Sequence, residues 1–137
     1  GARMWALHVA AAEALAEALA PGLPDRTGRI VLLGSRTSAG QAGRSQYAAT
    51  KAALVALARS WAAELAPRGV TCNVVAPAAT DTPMLRDPAR AGTVPRLPPI
   101  GRLIAPEEVA ALVAFLLGEE AGAITGQQLV VCGGASL

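Results

Sequence analysis

The stretch that decides the fold is GRIVLLGS at residues 28–35, which is soon followed by an alanine-rich helix pattern over 46–66. An unbroken apolar run between two glycines is typical of a strand buried on both faces, as in parallel sheets. Similar apolar runs follow at 70–75 and 127–132, and helix patterns separate the three. Strands that alternate with helices in this way predict an α/β protein with about three parallel strands.

Three helix patterns flank these strands. Residues 2–20 predict a helix of good formers, and Pro106 opens another that extends to Gly118. Ser45 is a plausible N-cap for the helix over 46–66. Apolar stripes are predicted on two of them, at Leu7, Ala11, Leu15 and Leu19 on the first, and at Leu54, Leu57, Trp61 and Leu65 on the second. The proline-rich segment 77–104 predicts a long loop with a functional lid at Met84–Arg96.

Composition limits the class of protein. The chain has 137 residues, of which 53% are hydrophobic and 16% charged, with a net charge of +2. We therefore expect one folded domain over 1–137, and neither a disordered chain nor a nucleic-acid binder with its concentrated basic patch. No apolar run reaches the roughly 18 residues of a membrane span, and no signal-peptide pattern opens the chain, so we expect a cytoplasmic protein. Its two cysteines lack metal-type spacing, and no metal site is predicted.

The only tyrosine, Tyr47, and the only lysine, Lys51, lie four positions apart on a predicted helix, so they share a face. A free phenol has a pKa of about 10, and a nearby ammonium lowers that value, which makes the phenol useful as an acid or base. Ser35 lies at the carboxyl end of the first strand, where open α/β sheets bind ligands. The three predict a hydride-transfer site in which Ser35 polarises a carbonyl, Tyr47 supplies its proton, and Lys51 tunes Tyr47 and binds the cofactor ribose. The alternative is a surface Tyr–Lys pair beside a turn serine.

Several segments resemble the short-chain dehydrogenase/reductase family, most closely the 3-oxoacyl-carrier-protein reductase type. They are 28–35, 47–54, 73–82, 100–102, 106–110, 126–127 and 133–134, and together they extend over nearly the whole chain. The resemblance implies a Rossmann-like, doubly wound parallel sheet and an NAD(P)-dependent oxidoreductase that interconverts a carbonyl and an alcohol. It implies NAD or NADP as the cofactor and a small-molecule carbonyl or alcohol as the substrate.

The resemblance also implies roles for individual residues. The catalytic set is Ser35, Tyr47 and Lys51, with His8 at the position of the family's fourth catalytic residue, an asparagine. The cofactor-binding set is Tyr47, Lys51, Pro77, Thr80 and Thr82. A helix-face histidine without a role is the alternative for His8.

The family's glycine-rich strand–turn–helix, which binds the cofactor pyrophosphate, has no counterpart here, because Gly40–Gly43 precedes the Tyr47 helix. The resemblance therefore predicts the carboxyl-terminal half of a reductase, the amino-terminal half being missing. We expect these 137 residues to bind NAD(P)H weakly or not at all. The alternative function is a non-catalytic remnant or an oligomerisation module, in which helices 2–20 and 46–66 pack against another subunit.

Overall fold

A three-stranded parallel sheet forms the centre of the computed structural model, which describes residues 1–82 and 96–137. The strands are β1 (Arg29–Leu33), β2 (Thr71–Pro77) and β3 (Gln128–Val131), in the order β1-β2-β3. Leu33 pairs with Val75, and Val75 pairs with Leu129. The predicted α/β class with a partial, parallel sheet is confirmed.

Helices and short turns connect the strands. The helices are α1 (Ala2–Trp5), α2 (Ala11–Leu19), α3 (Ser45–Leu65) and α4 (Pro106–Leu117). A π-helical turn at Ala6–Ala10 joins α1 to α2 without a break, so the helix predicted over 2–20 is present but changes its winding in the middle. Apolar periodicity gave no signal for this change. Short 3₁₀ turns lie at Ala20–Gly22, Arg36–Ala39, Ala66–Arg68 and Glu119–Ala121.

The core lies on both faces of β2, whose residues from Thr71 to Ala76 are all buried. One cluster joins Cys72 and Val74 to Ala58 and Ala62 of α3. The other joins Val75 to Leu116 of α4 and to Ala121. Alternate side chains of one strand thus enter opposite layers, which is why the β2 sequence is apolar without interruption.

The structure differs from two details predicted for α3. Of the four predicted stripe residues, Leu54 is buried and Trp61 packs against the core cluster while partly covered, and the small side chains Ala58 and Ala62 form the centre of the contact with the sheet. In addition, Ser45 is not the N-cap, because it is the first helical residue and the cap position, Arg44, makes no side-chain cap bond.

The outer side of β1 has no strand partner within the described residues. The Gly34 N–H donates to Val75 O on β2 at 2.8 Å, so the Leu33 carbonyl points away from β2. The side chain of Leu33 is 57% exposed. This edge therefore offers polar backbone groups and apolar surface together.

The segment predicted as a loop begins at the end of β2. An isolated parallel bridge joins Thr80 to Ile104, and 83–95, which contains most of the predicted lid, lies outside the described residues. None of the helices in the described ranges is both long enough and apolar enough to cross a membrane.

Candidate functional site

Lys51 connects the predicted Tyr–Lys pair to the sheet. Its Nζ lies 5.7 Å from the centroid of the Tyr47 ring, as the four-residue spacing on α3 predicts. The same ammonium donates a hydrogen bond to the Leu33 carbonyl oxygen at 3.2 Å. The pair therefore lies at the carboxyl end of β1, against the strand edge that β2 leaves free.

Ser35 follows β1 at the same end of the strand, two residues after the carbonyl that Lys51 binds. It is buried and extended, and it caps the 3₁₀ turn at Arg36–Ala39. Its Oγ lies 2.7 Å from Thr37 Oγ1 and accepts a bond from the Thr37 N–H at 3.2 Å. Sequence reasoning missed Thr37, although a Ser-x-Thr pair directly after a strand is a recognisable capping signal. These bonds fix the direction of the serine hydroxyl.

Two positive charges approach the phenol ring. The Arg44 guanidinium carbon lies 4.4 Å from the centroid of the Tyr47 ring, a cation–π contact that the sequence analysis did not identify. Lys51 approaches the same ring, and burial lowers the pKa of its ammonium. Two cationic side chains therefore lie around one aromatic ring.

His8 lies on the π-helical turn and contacts Tyr47. The two ring centroids are 5.9 Å apart and the ring planes meet at 83°, an edge-to-face arrangement. Burial, and then the charge of Lys51, lower the pKa of His8 below 6.5. The imidazole is therefore neutral at pH 7. The structure thus brings together three of the predicted residues, His8, Tyr47 and Lys51.

The residues predicted to line the nicotinamide follow β2. Pro77 ends the strand, Thr80 Oγ1 donates to the Ala78 carbonyl at 2.9 Å, and Thr82 is the last residue described before the gap. Because β1 and β2 are parallel, their carboxyl ends meet at one edge of the sheet. Pro77 and Ser35 therefore lie at the same edge.

No metal site accompanies these residues in the described ranges, where no group of three His, Cys, Asp or Glu side chains is close enough to hold an ion. Cys72 is fully buried, and burial raises its pKa to about 12. Cys132 is only partly covered, and a hydrogen bond with Ser136 lowers its pKa.

A parallel sheet with helices packed on both faces and polar residues after its strands is typical of the Rossmann-like, doubly wound class of α/β proteins. The family described as "Enoyl-(Acyl carrier protein) reductase" matches residues 2–136. The chain belongs to the short-chain dehydrogenase/reductase family and is similar to its 3-oxoacyl-carrier-protein reductases.

Individual relatives agree with this assignment. The 3-oxoacyl-[acyl-carrier-protein] reductase FabG of Salmonella typhimurium is 47% identical over 113 residues, which cover 80% of this chain and 46% of that protein. A solved short-chain dehydrogenase/reductase from Serratia marcescens superposes with a TM-score of 0.87 at 37% identity, over 98% of this chain and 56% of that one. The structure of the angucycline C-6 ketoreductase LanV with bound NADP superposes with a TM-score of 0.86 at 31% identity, over 98% of this chain and 53% of that one. The chain spans about half the length of the relatives it matches.

Proposed function

We propose that the chain carries the catalytic half of an NAD(P)-dependent oxidoreductase that interconverts a carbonyl and an alcohol. The observation that carries this proposal is the position of Lys51, whose ammonium bonds to the end of β1 and approaches the ring of Tyr47. Lys51 thus links the helix that carries Tyr47 to the strand end from which Ser35 follows, which supports a shared site. The names of the relatives, which are reductases and include one with bound NADP, support the same chemistry.

Each of the three residues has a defined role in the proposal. The Ser35 hydroxyl, already directed by Thr37, holds the substrate carbonyl oxygen. Tyr47 gives its phenol proton to that oxygen as the carbonyl is reduced, and takes it back in the reverse direction. Lys51 stabilises the phenolate that results. A nicotinamide held at this edge by Lys51 and Tyr47 would supply the hydride for reduction or accept it in the reverse direction.

The donors at this edge fit a nicotinamide cofactor. An ammonium has three N–H donors, and within the described residues Lys51 uses one of them for Leu33. The other two are available to ribose hydroxyls, and the phenol of Tyr47 is a third donor close by. Pro77, Thr80 and Thr82 form the part of the edge proposed to line the nicotinamide. The glycine-rich turn that would hold the pyrophosphate is not among the motifs of these 137 residues, so the choice between NAD and NADP stays open.

His8 is the fourth proposed catalytic residue. It occupies the position at which the family resemblance implies an asparagine, and its neutral imidazole can both donate and accept hydrogen bonds. The edge-to-face contact with Tyr47 supports a place in the same site. Its role in the proposal is to support the Tyr47 ring within the catalytic set.

Replacement of Tyr47 tests the catalytic assignment. In a complete, active reductase that contains these residues, we expect Tyr47→Phe to lower the rate of NADPH-dependent reduction of a 3-oxoacyl thioester by about 100- to 10,000-fold, the usual contribution of a general acid. Ser60→Ala is the matched control, since Ser60 is exposed and its hydroxyl bonds only to its own helix at Ala56. An equal rate in Tyr47→Phe and the parent chain would reject the assignment.

A second candidate function is assembly without catalysis. Three large apolar side chains of the amino-terminal helix, Leu7, Leu15 and Leu19, are at least 60% exposed, and an apolar surface of this kind suits a contact with another subunit. Titration of the chain with NADPH and NADH, followed by fluorescence, separates the two functions. Submillimolar binding supports the catalytic function, and no binding in the millimolar range supports assembly. We place the protein in the cytoplasm, where the free thiols of Cys72 and Cys132 would remain reduced.

A further inference from the structure

His8 has an unusual feature that its place in the proposed catalytic set does not explain. Its Nδ1 atom is buried and has no hydrogen-bond partner within the described residues. Nearly all buried polar atoms in proteins have such a partner, because an unpaired one is destabilising. We assign Nδ1 as the unprotonated nitrogen of the neutral ring, since an N–H there would be buried without an acceptor.

Local backbone geometry holds His8 in this position. The π-helical turn Ala6–Ala10 adds one residue to the winding of the helix, and such turns redirect side chains and are frequent at functional sites. Val9, the next residue, is 2% exposed and anchors the turn in the core. The imidazole is therefore fixed against the Tyr47 ring at a centroid distance of 5.9 Å.

Among the residues that the structure describes, the charged groups recorded against this contact are cationic. From α3, Lys51 acts on His8 through its charge, and Arg44 and Lys51 both approach the ring of Tyr47. Along its own helix the nearest charged residues are Arg3 and Glu13, each five positions away. A proton on His8 would add a third positive charge around one phenol ring, and it would place an N–H at a buried position without an acceptor.

We infer that His8 positions the Tyr47 ring only while its imidazole is neutral, so that protonation of His8 separates the two rings and sets an acid limit on this site. His8 is then a positioning residue that acts through Tyr47. The consequence for reduction of a carbonyl rests on the proposed function. The coupling between the two rings is a property of the chain itself and is tested without cofactor or substrate.

The lowered pKa of His8 makes the folded state less stable in acid. The pKa of His8 is lowered in the folded protein from 6.5 by burial, and then by Lys51. Above 6.5 the imidazole is neutral in both the folded and unfolded states, and the contact keeps its full stability. As the pH falls from 6.5 through the lowered pKa of the folded state, the unfolded chain binds the proton first and stability is lost.

The test uses NMR on the cofactor-free chain, in which His8 and Tyr47 are the only residues of their types and need no assignment against others. The imidazole ¹⁵N and phenol ¹³Cζ shifts are followed as the pH is lowered from 8, and circular dichroism monitors the fold. We expect an unprotonated Nδ1 at pH 8 and a shared midpoint below 6.5 for both rings. In His8→Asn, which keeps a polar side chain but cannot titrate, the Tyr47 shift should show no acid inflection.

Two NMR results would overturn the proposed coupling between His8 and Tyr47. One is a Tyr47 chemical shift that does not change while His8 titrates, and the other is a His8 titration midpoint at or above pH 6.5. If acid unfolds the parent chain at a pH that His8→Asn withstands, the coupling is supported, whereas unfolding of both at the same pH overturns it. If this coupling is found and yet Tyr47→Phe keeps full reductase activity, the proposed function fails while the pH-dependent contact stands.

Discussion

Lys51 is anchored by a backbone carbonyl, that of Leu33, so its bond at the strand end does not neutralise its charge. The field of the ammonium therefore extends to its neighbours, and it acts on His8. The anchor also uses a carbonyl on the free side of β1, which ties the position of the ammonium to the backbone of the sheet. The candidate site thus has two cations, Arg44 and Lys51, beside the Tyr47 ring. Ser35 lies at the end of β1, where it caps its own turn.

A glycine next to that serine controls how closely β1 and β2 approach. A Cβ at Gly34 would lie 2.6 Å from Val74 Cγ1, in the fully buried core, so Gly34→Ala must displace a packed side chain. We expect a loss of about 1–3 kcal/mol in the free energy of unfolding, measured by urea denaturation. Gly22→Ala is the control, because a Cβ there meets nothing within 4 Å. Equal stability of the two variants would contradict the close packing at Gly34.

At the scale of the elements, α3 lies against the sheet through alanines. Ala62 is 4% exposed and packs in the cluster of Cys72 and Val74. Ala62→Leu should therefore overfill this layer and lower the free energy of unfolding by about 1–3 kcal/mol. Ala63→Leu adds the same side chain at the next position, which is exposed, and should change stability much less. Comparable losses in both variants would show that the alanine face is not the packed one.

The amino terminus of α4 is held by an ionised carboxylate. Glu108 pairs with Arg102, at 3.1 Å for Nη2 to Oε2, and accepts a bond from the Ala105 N–H at 3.0 Å. These contacts lower the pKa of Glu108 from 4.5 to about 2, with the Arg102 hydrogen bond as the largest cause. Its contribution is therefore complete above pH 4.5 and is lost as the pH falls through about 2.

Glu108→Gln should consequently be less stable than the parent chain at pH 7, and the difference should shrink as the pH is lowered from 4.5 towards 2. Thermal unfolding followed by circular dichroism at several pH values measures this. Glu107→Gln is the control on the same helical turn. A difference that is independent of pH would show that ionised Glu108 does not hold the helix end.

At the scale of the whole molecule, large apolar side chains are exposed on both outer strands of the sheet, β1 and β3, and along the first helix. Leu33 of β1 and Val130 of β3 are both large apolar residues left exposed. Leu7, Leu15 and Leu19 are exposed on the helices that precede β1. Large exposed apolar patches mark interaction sites on proteins.

If the first helix forms the subunit contact, a charge in its centre should prevent association. Leu15→Glu keeps a good helix former at an exposed position, so we expect an intact fold and a lower mass in sedimentation equilibrium than that of the parent chain. Leu137→Glu changes an equally apolar, fully exposed residue at the carboxyl terminus and should leave the mass unchanged. A monomeric parent chain would exclude self-association through this helix.

Periodicity and spacing in the sequence by themselves determined the parallel α/β class, the bounds of the three strands to within two residues, and the shared face of Tyr47 and Lys51. These are local properties, because apolar runs select buried strands and a spacing of four selects one helix face. Only the tertiary structure decided that α3 packs through alanines and that Lys51 binds the Leu33 carbonyl. It also decided that the His8 ring contacts Tyr47 and that, within the described residues, the buried His8 Nδ1 has no partner. Those contacts join residues from different elements, and they depend on the distances between packed backbones, which no local pattern encodes.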